Sequence, residues 1–282
     1  MRIEEGRIGA GSVARGFNVA VLILAAGCQQ VRVASLAPQA ALAASDREGA
    51  AQGFPALRTL EGGRLADGHF TQWLEDGRLH IRIRYEFGPE RSIEERAVVR
   101  QEPLLVQESW SWEETRDGRL HRRFEIDFLG GAITAEKVQN GRMERWSERG
   151  ELEPGRAFAG SAFTMALKSH RARLLRGEKV KLQTVGFRPA PKVAEVEVSY
   201  AGVDRVPMSG RVIEGERFVL HPLIPLIARP FVDVPDTRLW LVHGEPAAFL
   251  RWEGPLAEPD DAIVRVDLLP GEPSAIAKPV KP

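Results

Sequence analysis

Three observations predict a mainly β fold, an antiparallel sheet curved into a half-barrel around one central helix. Apolar and polar residues alternate with period two over much of the chain. Asp-Gly, Asn-Gly and Gly-Gly pairs separate the alternating runs. One stretch, 157–176, drops the alternation and carries Ala, Met, Leu and Lys instead.

The first alternating run is the clearest. Leu79, Ile81, Ile83, Tyr85 and Phe87 share one side, and Arg78, His80, Arg82, Arg84 and Glu86 the other. That is a strand buried on one face. Leu104, Val106, Trp110 and Trp112 share a side interrupted by Glu108, and Leu120, Phe124, Ile126 and Phe128 share another interrupted by Arg122. A buried charge needs a partner, so these two could pair across the hairpin, or mark where the face opens to solvent. Turns are expected at Asp76-Gly77, Asp117-Gly118, Gly130-Gly131 and Asn140-Gly141, since Asp-Gly and Asn-Gly tolerate the positive φ of tight hairpins. Together these give a meander of five to six strands from 62 to 149.

In 157–176, Phe163, Ala166, Leu167 and Leu174 suit one helical face and Gly177 a helix stop. Strands are expected again at 179–187, 193–200, 211–213, 217–220, 239–242, 247–252 and 262–269. Between them, 223–235 holds Pro225, Pro230 and Pro235 and reads as a loop or an edge strand.

The N-terminus reads as a leader. Arg15 precedes an apolar run, 17–27, broken only by Asn18 and followed by Cys28. The run is far shorter than the roughly 20 residues of a membrane-spanning helix and matches the core of an export signal. Residues 29–55, rich in Ala, Gln and Ser, are expected to form a flexible tether. Residues 56–269 form a single β-rich domain, and 270–282, with four Pro and two Lys, a disordered tail.

Composition narrows the function. The chain has 39 basic and 39 acidic residues, and without its first 28 it has 36 and 37, which gives nucleic acid nothing to recognise. Cys28 is the sole cysteine, so neither an internal disulfide nor a cysteine-based zinc site can form. The six histidines make no HxH, HxxxH or HExxH spacing, and no GxSxG elbow or Ser-x-x-Lys pair occurs. Glu94-Glu95 and Glu113-Glu114 are adjacent pairs whose members point to opposite faces of a strand, and Asp260-Asp261 suits a turn, so none makes an acid–base pair. No catalytic residues, cofactor or metal are expected. The aromatics say more. Trp110 and Trp112 lie on one face, with Phe124 and Phe128 opposite across a hairpin. They read as ordinary core, or as the wall of a lipid or acyl-chain pocket.

Leu24-Ala25-Ala26-Gly27-Cys28 resembles the end of a bacterial lipoprotein signal, with Ala25 where Leu is commonest. The resemblance implies cleavage before Cys28, acylation of its thiol and of the new N-terminus, and anchoring in the membrane. Gln29, rather than an aspartate, implies the outer membrane, facing the periplasm. The other reading is an ordinary secretory signal cut near Ala26 or Gly27. From residue 157 onward, Leu174-Leu175-Arg176-Gly177, Leu239-Trp240-Leu241 and the stretch from Pro246 to Trp252 resemble a class of exported bacterial proteins of unknown function. The architecture is similar to the half-barrels of periplasmic lipid and lipoprotein carriers. Two functions follow as expectations: an envelope lipoprotein that binds a lipid or other apolar molecule, or a non-catalytic lipoprotein that docks on an envelope complex.

Overall fold

The computed structural model describes residues 46–208, 210–224 and 234–268. Cys28, most of 223–235 and the tail lie outside the described residues. Two short strands, β1 (Ala51–Gly53) and β2 (Ala56–Thr59), open the described chain. The meander follows: β3 (Arg64–Glu75), β4 (Arg78–Glu86), β5 (Arg91–Arg100), β6 (Val106–Arg116), β7 (Arg119–Asp127), β8 (Ala132–Gln139) and β9 (Arg142–Arg149). After the helix α1 (Ala162–Leu175) come β10 (Val180–Arg188), β11 (Ala190–Met208), β12 (Arg211–Pro222), β13 (Thr237–Val242), β14 (Phe249–Pro255) and β15 (Ile263–Asp267). The meander thus has seven strands, more than the turn signals alone suggest.

The hairpin signals hold in detail. Asp76 and Gly77, Asp117 and Gly118, and Asn140 and Gly141 all have positive φ, between 50° and 75°. Two consecutive left-handed residues give the turn whose twist matches that of the strands it joins.

All pairings between strands are antiparallel, and they form one sheet in the order β10-β11-β12-β13-β14-β15-β2-β3-β4-β5-β6-β7-β8-β9, with β1 added on β3. The sheet is curved but not closed: β9 and β10, its two ends, are not paired with each other. They do come close. A Cβ built on Gly150, just after β9, would fall 2.5 Å from Val193 Cγ2 of β11, so the backbone there tolerates no side chain.

The chain between β9 and α1 covers the open edge of β10. Ala157 bridges Gln183 in parallel; Gln183 N–H donates to Arg156 O at 2.8 Å, and Phe158 N–H donates to Gln183 O at 2.9 Å. The helix therefore starts later than its composition suggests. Residues 156–158 are extended because the sheet edge takes their hydrogen bonds, and Gly160 turns the chain with φ 57°.

The helix fills the concave side of the sheet. Residues 165–170 are buried without a break, so α1 is enclosed around its circumference rather than along one stripe. That explains its weak periodicity. It packs in one core with the inward residues of the strands, among them Leu79, Ile93, Val99, Phe124, Ile133, Leu182, Val198, Phe218 and Leu241. A second, small cluster of Val206, Met208, Trp240 and Leu250 lies apart from it.

Candidate functional site

The aromatic residues singled out in the sequence do come together, inside the sheet. Trp110, Trp112, Phe124 and Phe128 are all buried, and Phe187 of β10 joins them. The ring centroids run Trp112–Phe124 at 5.5 Å, Phe124–Phe187 at 4.5 Å and Phe187–Trp110 at 6.1 Å, all stacked. This continuous stack joins the two ends of the sheet, because β6 and β7 lie near one end and β10 at the other.

The charges that interrupt these faces do not pair with each other. At Glu108 the register with β5 shifts, because Ser109 opposes Val98 while Gln107 opposes Val99. The extra residue turns Glu108 to the outer face, where it meets Arg78 at 2.6 Å and Arg100 at 3.3 Å. Arg122 stays inside and finds other partners. Its Nε donates to Glu114 at 2.7 Å, and its Nη1 donates to Glu258 at 2.8 Å and to Asp261 at 2.9 Å. Lys137 adds a 2.7 Å bond to Glu258, and Arg122 lies 5.1 Å from the Trp112 ring. Glu114 and Glu258 are almost wholly buried. Burial alone would push Glu114 up, but Arg122, then Arg116 and Arg91, hold its carboxyl below the usual range. This network ties the β14–β15 turn across the mouth of the half-barrel.

A second inward charge is Glu95 of β5. Its carboxylate accepts the Ser161 N–H at 2.7 Å and so caps α1, whose own N-cap side chain makes no capping bond. A Cβ built on Gly160 would overlap Glu95 Oε1 and the Trp110 indole nitrogen, with Glu95 Cδ at 2.8 Å. Burial raises the Glu95 pKa, and the donors Ser161 and Trp110 only partly oppose it. Nearby, Gln107 clamps the helix entry: Ala159 N–H donates to its Oε1 at 2.8 Å and its Nε2 donates to Ala159 O at 3.2 Å. Glu95 and Glu114 are therefore working interior groups, while Glu94 and Glu113 face outward, paired to Arg82 and Arg123.

At the helix centre, Lys168 forms an ion pair with Glu48, and Gln101 makes two bonds with the Glu48 backbone at 2.8 and 2.9 Å. Gln72 Nε2 donates to Gly49 O at 2.7 Å. The segment after Asp46 is thus fastened to α1, to β3 and to the residue that follows β5. His170 is buried, with Nδ1 unpartnered, and burial pushes its pKa down to about 4.

The hollows lie on the other side of the sheet. One of about 510 Å³ is lined by Arg82, Arg84, Glu94, Arg96, Glu113 and Arg123 with Ser92, Ser111 and Thr115 among them. A second of about 320 Å³ adjoins it at Arg82 and Arg96 and is walled by Trp73 and His80. Sequence reading placed His80 on a polar face but did not single out Trp73. Among the described residues, no group of three or more His, Cys, Asp or Glu could hold a metal, and no helix is long and apolar enough to cross a membrane.

No family model and no curated protein matches the chain. Among solved structures it is similar to a beta-barrel-like protein of the domain of unknown function DUF1849 from Brucella abortus, with 9% identity over 79% of this chain and 97% of that one, at a TM-score of 0.45.

Proposed function

We propose that this protein is an envelope lipoprotein, anchored through acylated Cys28, that works by binding on the outer face of its sheet rather than by enclosing a lipid. The observation that carries the reading is the occupied interior. Residues 165–170 of α1 are buried without a break, and the space where a lipid would lie holds Trp110, Trp112, Phe124 and Phe187 in contact with one another. A packed interior of this kind resists insertion, because close packing leaves no gaps to widen. The hollows lie on the outer face; the larger has a polar, charged lining and the smaller is walled mainly by apolar surface around Trp73, which suits a partner with both polar groups and an apolar face.

The carrier reading keeps Trp110, Trp112, Phe124 and Phe128 as its wall and requires α1 to leave its seat. Mass spectrometry of an organic extract decides between them. The chain from Gln29 onward, expressed in a bacterial envelope and purified without a tag, is expected to yield no stoichiometric lipid. A lipid at one per chain overturns the surface reading. Anchoring is tested separately: full-length protein is expected in the membrane fraction, and Cys28→Ser in the soluble periplasmic fraction. Equal membrane retention of both refutes acylation at Cys28.

A further inference from the structure

We propose that the outer face of β3–β5 is a subsite for a linear acidic saccharide, an oligosaccharide whose rings carry carboxylates. The inference rests on the surface-binding reading above and names its ligand.

The alternation that buries one face of β4 and β5 leaves on the other a pattern with no structural return. Arg78 lies directly opposite Arg100, and Arg82 directly opposite Arg96. Like charges facing each other across two strands destabilise a sheet. Each pair is held by one carboxylate: Glu108 takes Arg78 at 2.6 Å and Arg100 at 3.3 Å, and Glu94 takes Arg82 at 2.6 Å and also pairs with Arg96. Two guanidiniums share each carboxylate; Glu75, opposite Arg78, balances the first cluster, so the positive surplus lies at Arg82 and Arg96. The carboxylates sit low, at 12% and 18% exposure, while Arg96 stands at 65% above them. Of the Arg96 nitrogens only Nη2 is engaged, which leaves an edge of the planar fork for a second carboxylate.

Between the two clusters runs a row without formal charge. Trp73 opposes His80, and His80 opposes Val98. The Trp73 and His80 rings stack at 5.3 Å with 16° between planes, and the indole N–H donates to Glu75 at 3.1 Å. The indole is fixed on one face and at its edge, yet 40% exposed. Glu75, which faces the same end, lies opposite Arg78. Ser109 and Ser111 on β6, opposite Val98 and Arg96, are too small to cover the row. The 320 Å³ hollow at Trp73 is at the lower end of the roughly 300–1,000 Å³ of small-ligand sites.

A held aromatic face with a guanidinium cluster at either side fits a sugar ring stacked on the indole with acidic groups reaching both ways along the strand. Each cluster stands two residues from the row, about 7 Å along the strand at about 3.4 Å per residue. A nucleic acid fits less well, since one aromatic platform offers no run of stacking surfaces and the chain as a whole is neutral.

Titration calorimetry of the chain from Gln29 onward with a galacturonate hexamer in low salt tests the proposal. Neutral dextran of equal length and a thymidylate oligonucleotide serve as comparisons. The hexamer is expected to bind and dextran not to. Trp73→Ala should weaken binding about tenfold, the scale of one aromatic stack. The double variant Arg96→Gln/Arg100→Gln should weaken it comparably and flatten its salt dependence. All three sites are exposed enough for the fold to survive, which an unchanged melting temperature verifies. Hexamer binding that is absent, matched by dextran, exceeded by the oligonucleotide or indifferent to both variants overturns the proposal. If such a failure comes with a lipid-free extract, this inference falls alone; a stoichiometric lipid brings down the surface reading as well.

Discussion

Replacing Gly160 by Ala should loosen the seating of α1, and its cost follows from two local facts. Gly160 has φ 57°, a left-handed conformation that costs a residue with a Cβ roughly 1–2 kcal/mol. The new Cβ would also overlap Glu95 Oε1 and the Trp110 indole nitrogen. The indole is fixed by its stack on Phe187, so the carboxylate has to swing away. That breaks its bond to the Ser161 N–H, and a hydrogen bond to a charged group contributes about 1.5–3 kcal/mol. Part of this returns, because Glu95 regains water on moving out. A net loss of about 3 kcal/mol is expected, and at about 2–4 °C per kcal/mol for a domain of this size the melting temperature should fall by about 6–12 °C. Near-ultraviolet circular dichroism reports it, since Trp110 and Trp112 sit beside the perturbed contact. A fall of less than about 2 °C would refute the reasoning, and with it the role of Glu95 as the helix cap.

Other consequences concern the interior charges. Because the folded-state pKa of Glu95 is raised by burial, its relative contribution is full below the ordinary glutamate value and lost as pH rises through the raised one. The melting-temperature advantage of wild type over Glu95→Gln should therefore shrink as pH rises above the ordinary glutamate range; a pH-independent difference would contradict this. Arg122→Met leaves Glu114 and Glu258 buried without their main partner and should cost about 3–5 kcal/mol in urea unfolding. Wild type should also lose stability on acidification as Glu114 protonates below its lowered pKa, a loss smaller in Arg122→Met; equal acid sensitivity would argue against the network. His170 is held neutral, with a pKa pushed down to about 4, so its contribution is full above about pH 6.5 and is lost as pH falls toward 4. Urea titrations of His170→Leu should lack that loss, about 3 kcal/mol in full, and an unchanged acid profile would show that His170 is not its source.

What the sequence discloses and what it hides divide along physical lines. Asp76-Gly77, Asp117-Gly118 and Asn140-Gly141 were legible because hairpin turns depend on the conformational preferences of two adjacent residues. The inward faces of β4 and β7 were legible because burial on one side imposes period two. The helix start was not, since 156–158 take their hydrogen bonds from β10, and nothing in Ala157 or Phe158 announces that partner. Glu95 and Glu114 look like solvated charges until their neighbours are known, and those come from Ser161 and from Arg122, which itself reaches Glu258 and Asp261. The bulge at Glu108 reverses a face by one extra residue, a change that no periodicity count detects. The outer site was half visible: Arg78, His80 and Arg82 were on view, but Arg96 was not, and the pairing of Arg78 with Arg100 and of Trp73 with His80 depends on register.

The strand β15 lies between β14 and β2, with Val264 opposite Thr59 and Val266 opposite Leu57. Residues made near the start of synthesis thus wait for those made near its end. A ribosome that has released β2 through β9 has produced one continuous half of the sheet, but α1 has no complete seat until β10 to β15 emerge and β15 pairs with β2. The slow step of folding is the meeting of two distant chain segments, which loop-closure entropy makes unfavourable until the last strand arrives. The architecture keeps β2 and β15 far apart in the chain yet adjacent in the sheet, so the two halves lock together only once β15 has found β2.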